Sequence, residues 1–305
     1  MAFRLQPDES ITRGIRRLAK KELRSARAVL LKSVPPPDEA IHEARKSVKK
    51  VRAILDLIKA DDGEGLGGSR KRLREINQTL SQLRDADAMV ETVQAIEDRN
   101  RALLRQRTST AIRRRLAKRK KRALEAAHAD GVWKTIDRDC RELVETIKRA
   151  QPSHRRFGVL APGIRRAYRG GRKAMARARE SRRAADFHEW RKQVKTLWYQ
   201  LRLLEGCSAA VTRDVARLNR VETCLGDDHN VAMLGEVLSA DLPAADLESF
   251  RRAATRYQGQ LRRRALAAAA KTYGHTTVVF MRTIKGAWKA FERQHRAAAR
   301  SRKAG

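Results

Sequence analysis

The sequence predicts an all-α protein made of two antiparallel helical bundles that are related by a pseudo-two-fold axis. Apolar residues recur at intervals of three and four, and no segment alternates with the period of two that is typical of a half-buried strand. Prolines fall at the edges of the periodic segments, where they can start or stop a helix. Three landmarks also occur twice in the same order, beginning at Gly14 and Gly163, at His42 and His188, and at Leu80 and Leu225. Such an internal duplication indicates two equivalent halves.

The helices of each half follow from this periodicity and from the positions of proline and glycine. In the first half we expect helices at 8–33, 38–60, 69–83 and 131–150, with an interrupted helical segment at 86–126. In the second half we expect them at 159–183, 186–206, 209–225, 230–240 and 244–300, the last with at least one break. The predicted domains are therefore 1–155 and 156–305.

The second helix of each half carries the most specific repeat. Both copies read apolar-His-Glu-x-Arg-Lys-x-Val-Lys, at 41–49 and 187–195. Six apolar positions with helical spacing recur in each copy, which is typical of a seam that packs inside a bundle. These positions are Ile41, Ala44, Val48, Val51, Leu55 and Ile58 in the first copy and Phe187, Trp190, Val194, Leu197, Leu201 and Leu204 in the second.

A polar stripe lies beside each seam, because a helix returns to the same side every three to four residues. The stripe consists of His42, Arg45, Lys46 and Lys49 in the first copy and of His188, Arg191, Lys192 and Lys195 in the second. Each histidine stands at the start of its helix, where free amides and the helix dipole favour an anion. A lone histidine there is more typical of a cap, but its recurrence beside the same cations favours contact with a phosphate.

The first helix of each half carries a basic ridge. Its members are Arg13, Arg17, Lys20, Arg24 and Arg27 in the first half and Arg166, Arg169, Lys173 and Arg177 in the second. Solvated basic faces usually have acidic partners four residues away, and these ridges lack them. Because neighbouring helices in an antiparallel bundle lie side by side, we expect ridge and stripe to converge on one groove or pore.

The balance of charges predicts a polyanionic partner. The chain has 70 Lys and Arg residues against 35 Asp and Glu residues, a net charge of +35. Its 41% of apolar residues is enough to bury a core, so the charge belongs to a folded scaffold. No signal peptide precedes the first helix, and no apolar run approaches the roughly 18 residues that span a bilayer. We therefore expect a soluble, intracellular protein with no membrane contact.

The sequence contains no recognisable catalytic, metal or cofactor motif. Cys140, Cys207 and Cys224 are far apart and lack Cys-x-x-Cys spacing, so neither a disulfide framework nor a zinc site is predicted. The acidic pair Asp227 and Asp228 is weak support for a Mg²⁺ site. We predict no metal, no cofactor and no enzymatic reaction.

Three segments keep more than one interpretation. The stretch from Leu80 to Asp87 is predicted to end one helix and begin another, with Asp85 or Asp87 capping the new helix or orienting a groove cation. The glycine-rich segment 63–68 follows a helix and lacks the Lys-Ser/Thr ending of a phosphate loop, so we interpret it as a connector. The basic run 113–122 is a solvated face, a second polyanion patch or a nonspecific nucleic-acid contact.

The doubled motif resembles the CHAD family, the conserved histidine α-helical domain, from about residue 8 to 300. The resemblance rests on His42-x-x-Arg45-Lys46-x-x-Lys49-Lys50-x-Arg52 with Leu80-x-x-x-Arg84-Asp85-x-Asp87, and on His188-x-x-Arg191-Lys192-x-x-Lys195 with Leu225-Gly226. It implies two helical bundles flanking a basic surface or pore to which the stripe residues belong. It also implies binding of inorganic polyphosphate and a cytoplasmic location at polyphosphate granules.

Charge and resemblance together predict noncatalytic binding of polyphosphate. The expected contacts are Arg17, Lys20, Arg24, His42, Arg45, Lys46, Lys49, Lys50, Arg52, Arg166, Arg169, Lys173, His188, Arg191, Lys192 and Lys195. The alternative is weak, nonspecific nucleic-acid binding, which the low aromatic content of 5% disfavours. Because Thr196 and Trp198 stand opposite Lys50 and Arg52, we expect fewer phosphate contacts in the second half. The sequence does not fix the oligomeric state.

Overall fold

The computed structural model describes residues 3–58, 66–99, 106–149, 156–239 and 243–304. These residues form ten α-helices and one 3₁₀ turn and contain no strand, so the predicted all-α class is confirmed. The first half comprises α1 (Ile11–Leu31), α2 (Asp38–Leu57), α3 (Gly67–Arg99), α4 (Gln106–Ala129) and α5 (Val132–Arg149). After the turn Arg156–Val159 come α6 (Ala161–Ser181), α7 (Ala184–Arg202), α8 (Ala209–Ser239), α9 (Ala244–Tyr273) and α10 (Thr277–Ala304).

Two predicted helix breaks are wrong. The helix α3 continues through residues 83–86 and α8 continues through 225–230, although both stretches are polar. In α3 the apolar period persists on one side, with Leu80, Leu83 and Met89 at most 4% exposed. Burial of that side maintains the helix across its polar residues. Asp85 and Asp87 therefore lie inside α3, and no new helix begins at either of them.

Two further helix breaks were expected, one within 244–300 and one within 86–126. The break expected within 244–300 is confirmed, since α9 ends at Tyr273 and α10 begins at Thr277. The interruption expected within 86–126 coincides with residues 100–105, which lie outside the described residues, as do residues 63–65 of the glycine-rich connector.

The apolar seams of α2 and α7 lie in the core, as predicted. All twelve seam residues are at most 3% exposed, and Trp190 is among the largest fully buried side chains. The helix α2 packs against α1 and α3, and α7 packs against α6 and α8. Full burial on this side leaves the opposite side of each helix available for polar residues.

The two halves meet through their second and third helices. Packing proceeds from α1 through α4 in the first half and in the same order from α6 through α9 in the second, while α2 contacts α7 and α3 contacts α8. The pseudo-two-fold axis itself stays a prediction.

The hydrophobic core crosses between the halves. One cluster includes Leu18, Val48 and Leu80 of the first half with Ile164, Val194 and Leu225 of the second. A smaller cluster joins the ends of four helices through Met89, Val93, Ile112, Val231, Leu234 and Phe250. The domain boundary at 155 and 156 adjoins the undescribed residues 150–155 and stays a prediction.

Candidate functional site: a cationic cleft between the halves

A cleft of about 390 Å³ lies between α2, α3, α7 and α8, and is called the central cleft below. Its described lining includes six cations and one carboxylate, that of Asp56. The six cations are Arg45, Lys49 and Arg52 of α2 and Arg191, Lys192 and Lys195 of α7. The third helices add neutral polar groups, namely Asn77 and Ser81 of α3 and His229 and Asn230 of α8.

Helical spacing explains why these cations point into one space. Positions 45, 49, 52 and 56 of α2 follow one another at steps of three and four, so they share one side, next to the buried seam. The same spacing brings 191, 192, 195, 196 and 199 of α7 to the cleft. The amphipathic pattern thus serves packing on one side and ligand contact on the other.

Residues of the third landmark, in α3 and α8, hold Arg45 and Arg191 of the second landmark in place. Arg45 donates from Nη2 to Ser81 Oγ at 2.9 Å. At the equivalent place in the second half stands Gly226, where an added Cβ would lie 3.6 Å from Nε of Arg191. Each arginine is therefore held against the same turn of the following helix.

A carboxylate partly neutralises the cations of the second half. Lys195 Nζ donates to Glu222 at 2.7 Å, and an oxygen of Glu222 lies 3.6 Å from Arg191. Burial opposes ionisation of Glu222, but Lys195 and Arg191 outweigh it and lower the pKa of this carboxyl. The equivalent residue in α3 is the neutral Asn77, whose buried carbonyl oxygen accepts no hydrogen bond from the described part of the chain. The first half therefore has a neutral amide where the second half has the carboxylate of Glu222.

Lys49 is the most strongly perturbed cation of the cleft. Burial, followed by repulsion from Lys195, Arg45 and Arg191, lowers the pKa of its ammonium group to about 6, although Glu222 opposes the shift. At pH 7 the free protein therefore holds much of Lys49 as the neutral amine. A bound anion would reverse this balance and favour protonation.

The two predicted histidines lie beside the cleft in equivalent pairs. His42 is close enough to Arg84 for the guanidinium, after burial, to lower the histidine pKa. The ring of His188 lies 4.2 Å from that of His229, which occupies the position equivalent to Arg84. Burial and the neighbouring Arg191 lower the pKa of His229 to about 3. Both predicted histidines are the fifth residue of their helix, so the expectation that they open it is wrong.

Some predicted contacts of α1 and α2 face elsewhere. Lys46 pairs with Glu43 at 2.6 Å on the surface, and Lys50 pairs with Glu22 at 3.0 Å between the two helices. Arg17 binds Glu9 through two hydrogen bonds of 2.5 and 2.8 Å. Arg17 of the ridge thus has an acidic partner. The spacing of four residues within a helix did not indicate it, because Glu9 precedes the helix.

Among the other ridge residues, Arg177 pairs with Asp186 at 2.7 Å, and most of the rest line surface grooves outside the central cleft. Lys20 and Arg24 lie on a groove along α1, while Arg166, Arg169 and Lys173 lie on a groove along α6. Arg166 also donates to the backbone oxygen of Asp56 at 3.1 Å. The expected convergence of ridge and stripe does not occur. Because α1 and α6 turn buried apolar residues toward α2 and α7, their cations face outward.

Several other polar motifs form ion pairs. Lys120 bridges Asp38 and Asp87, and Arg113 pairs with Glu97 at 2.5 Å. These contacts make part of the basic run 113–122 structural, and its exposed cations keep their three interpretations. Asp228 pairs with Arg262 at 2.7 Å, which engages one residue of the weak Mg²⁺ candidate. Among the described residues, no group of three or more His, Cys, Asp or Glu could hold a metal ion.

The cleft lining does not show the inequality expected from Thr196 and Trp198. Each half contributes three cations, because Lys192 lines the cleft whereas its counterpart Lys46 does not, and this balances Arg52, whose counterpart is Trp198. The Trp198 ring instead lies 5.1 Å from the guanidinium of Arg202. The halves differ at Asn77 and Glu222, which the motif comparison did not consider.

The sequence pattern did not indicate the neutral polar residues of the cleft or the carboxylate of Glu222 that pairs with its cations. Ser81, His229 and Asn230 fall in the third landmark, which was interpreted as a helix junction. Extending the repeat alignment back along α3 and α8 would have paired Asn77 with Glu222.

The profile of the CHAD domain matches residues 15–239. The chain belongs to the CHAD family. The matched region begins within α1 and ends with α8, so it contains all four helices that line the central cleft. None of the described helices is long and apolar enough to cross a membrane.

Two solved structures support the CHAD fold. PptA from Streptomyces chartreusis aligns with a TM-score of 0.63 at 13% identity, over 85% of this chain and 99% of that one. The CHAD domain from the plant Ricinus communis aligns with a TM-score of 0.54 at 16% identity, over 93% and 95%. At these identities the similarity establishes the fold alone. Comparison with curated protein sequences gives no significant match.

Proposed function

We propose that this CHAD protein binds inorganic polyphosphate in the central cleft without catalysing a reaction. The main support is the set of six cations, three from each half, around a cleft with one carboxylate in its described lining. Burial and, after it, repulsion among the facing cations lower the pKa of Lys49. A bound polyanion would relieve the repulsion among these cations.

The lining chemistry suits a chain of phosphates. Arginine presents a planar fork of donors to phosphate oxygens, and lysine adds a compact point charge. The amides and hydroxyls of Asn77, Asn230 and Ser81 can donate further hydrogen bonds. Binding should weaken with salt, because neutralising a linear polyanion releases its counterions.

The cleft offers little for recognition of nucleic-acid bases. Single-strand binders usually stack bases on exposed aromatic rings. Tyr199 lines the cleft but is only 4% exposed, and the His188 ring lies against His229. These features favour a phosphate chain without bases as the ligand.

A location at cytoplasmic polyphosphate granules follows from the same proposal. The CHAD family is known in polyphosphate-related proteins. Affinity for the polymer would recruit the protein to a granule.

The test replaces three cleft cations other than Arg191 and Lys195, which pair with Glu222; one of the three, Lys192, forms an exposed ion pair with Glu189 at 3.1 Å. The variant K49Q/R52Q/K192Q should bind long-chain polyphosphate at least about 100-fold more weakly, because each position loses a charge-assisted contact. The matched control R282Q/K285Q/K289Q removes the same residue types from the exposed side of α10. Fluorescence titrations at fixed salt compare both variants with the wild type.

Competition separates polyphosphate from nucleic acid. Unlabelled polyphosphate should displace the labelled chain at lower phosphate concentration than single-stranded or duplex DNA does. Preference for either DNA, or equal binding by the cleft and control variants, would overturn the proposed function.

A further inference from the structure

A groove of about 790 Å³ along α1 is lined almost entirely by cations. Six come from α1 itself and the seventh, Lys148, from α5, while no carboxylate is present in the described lining. Arg13, Lys21 and Arg24 are exposed, and Lys20 is half-buried between them. At its edges Arg17 pairs with Glu9 and Lys148 pairs with Glu145, both at 2.5 Å, and the groove shares no residue with the described lining of the central cleft.

The neighbouring groove shows what a neutralised basic surface looks like. It shares Arg24 with the first groove and contains further arginines, but Glu142 and Glu145 also line it. Arg72 pairs there with Glu142, and an adjacent Arg27 pairs with Asp137 at 2.5 Å. These arginines hold helices together, whereas the described lining of the α1 groove itself contains no carboxylate.

The second half repeats the α1 groove at equivalent positions. A groove of about 640 Å³ along α6 is lined by four cations and, in its described lining, by no carboxylate. Aligning the first landmark pairs Arg16, Arg17, Lys20 and Arg24 with Arg165, Arg166, Arg169 and Lys173. The buried positions between them maintain the fold, but exposed helical positions accept almost any polar residue. Arg17 and Arg166 have structural contacts, with Glu9 and with the backbone oxygen of Asp56, so the matches that packing leaves unexplained are Lys20 with Arg169 and Arg24 with Lys173.

We propose that the α1 and α6 grooves are two outer binding sites for linear phosphate chains, separate from the central cleft. The clustered cations repel one another along each helix, so a polyanion that lies in the groove stabilises them. The proposal extends the ligand class of the proposed function to other surfaces but rests on the lining of the grooves themselves.

The groove linings favour a chain without bases. Neither described lining includes an aromatic side chain on which a base could stack. The α6 groove also borders the central cleft, because Arg166 binds the backbone oxygen of Asp56, a cleft residue. A long chain leaving the cleft at Asp56 would therefore meet the cations of α6.

The experiment uses tripolyphosphate, which is too short to fill more than one site. The variants R13A/K20A/R24A and R165A/R169A/K173A each remove two arginines and one lysine, as does the control R282A/K285A/R293A on exposed positions of α10. Isothermal titration should show that each groove variant loses one binding event, with affinity at that groove reduced at least about tenfold. The control should retain every event, and unchanged circular dichroism would establish that all three variants fold.

The possible outcomes are distinct. Groove variants that bind as much tripolyphosphate as the control would overturn the inference. Loss of duplex DNA binding with unchanged tripolyphosphate binding would also overturn it, by identifying the grooves as nucleic-acid surfaces. If the groove variants lose events while the cleft variant K49Q/R52Q/K192Q loses none, the inference stands and the proposed function fails.

Discussion

Lys49 illustrates how a ligand site can work against the stability of the free protein. Its ammonium group is half-buried and faces Lys195, Arg45 and Arg191, with Glu222 as the opposing carboxylate. Removing a charge from water among like charges costs free energy, which explains the lowered pKa. The cost is offset only when an anion enters the cleft.

This arrangement predicts a pH dependence of stability that disappears in K49M. Between about 6 and the ordinary lysine value of about 10.4, the unfolded chain binds a proton that folded Lys49 does not. Wild-type stability should therefore gain up to about 1.4 kcal/mol per pH unit from this group as pH rises through that window. Urea denaturation of wild type and K49M across the window measures the difference. Parallel stability profiles would contradict the prediction.

The same residue predicts how binding responds to pH. If polyphosphate restores the proton on Lys49, wild-type affinity should fall by up to about tenfold per pH unit above pH 6. In K49M the part of the pH dependence that comes from Lys49 should be absent. The part that comes from ionisation of the ligand is the same in both proteins and cancels in the comparison. Proton uptake measured calorimetrically in buffers of different ionisation enthalpy checks it, and equal uptake by both proteins would refute it.

Glu222 competes with the ligand for the cations of the second half. The variant E222Q should bind polyphosphate up to about tenfold more tightly, because Lys195 and Arg191 would no longer face a carboxylate. The free protein should lose about 1–3 kcal/mol, since these buried donors would lose a charged acceptor. Titrations and thermal melts measure both effects, with E236Q on the exposed side of α8 as the control. Weaker binding by E222Q would exclude this role.

At the scale of the helix, the repeated glycines of α1 and α6 mark close packing. An added Cβ at Gly14 would lie 2.5 Å from Leu5, and one at Gly163 would overlap the carbonyl oxygen of Leu57, at the end of α2, and lie 2.6 Å from the Cα of that residue. The Gly-Ile-Arg-Arg landmark therefore reports packing constraints as well as duplication. The glycine faces the neighbouring element, and the arginines face solvent or a groove.

Substitution of Gly163 should destabilise the junction of α6 and α2. The variant G163A should lose about 1–3 kcal/mol, because the backbone of Leu57 cannot yield as a flexible side chain would. Gly286 is the matched control, since it is exposed within α10 and an added Cβ would meet nothing within 4 Å. There, alanine should be neutral or stabilise by up to about 1 kcal/mol through its higher helix propensity. Equal urea midpoints for G163A and G286A would contradict the prediction, because they would show that α6 shifts to make room for the added methyl group.

Element types and buried faces could be predicted, whereas two helix ends could not. Seam residues such as Val48 and Val194 were identified by spacing alone, and both are fully buried. The breaks expected in α3 and α8 failed because polar residues were interpreted as junctions. Burial of the other side of each helix decided its continuation, and that burial depends on partners that are distant in sequence.

At the scale of the whole molecule, the central cleft exists because the halves pack on each other. It is formed where α2 and α3 meet α7 and α8, and the core continues across the same junction. Neither half alone encloses the space, so the duplication contributes matching walls of one site. The outer grooves differ, because each belongs mainly to one half.

The sequence by itself determined the helical class, the duplication, the buried seams and the cationic stripe, because each is a periodic property of a local segment. Within the stripe it identified Arg45, Lys49, Arg191, Lys192 and Lys195, which all reach the cleft. Only the tertiary structure decided that the α1 and α6 ridges face outward and that Glu222 neutralises one half. Those outcomes depend on the orientation of each helix about its own axis, which is set by burial of its apolar side against partners far along the chain. The local periodicity of a segment does not determine that orientation.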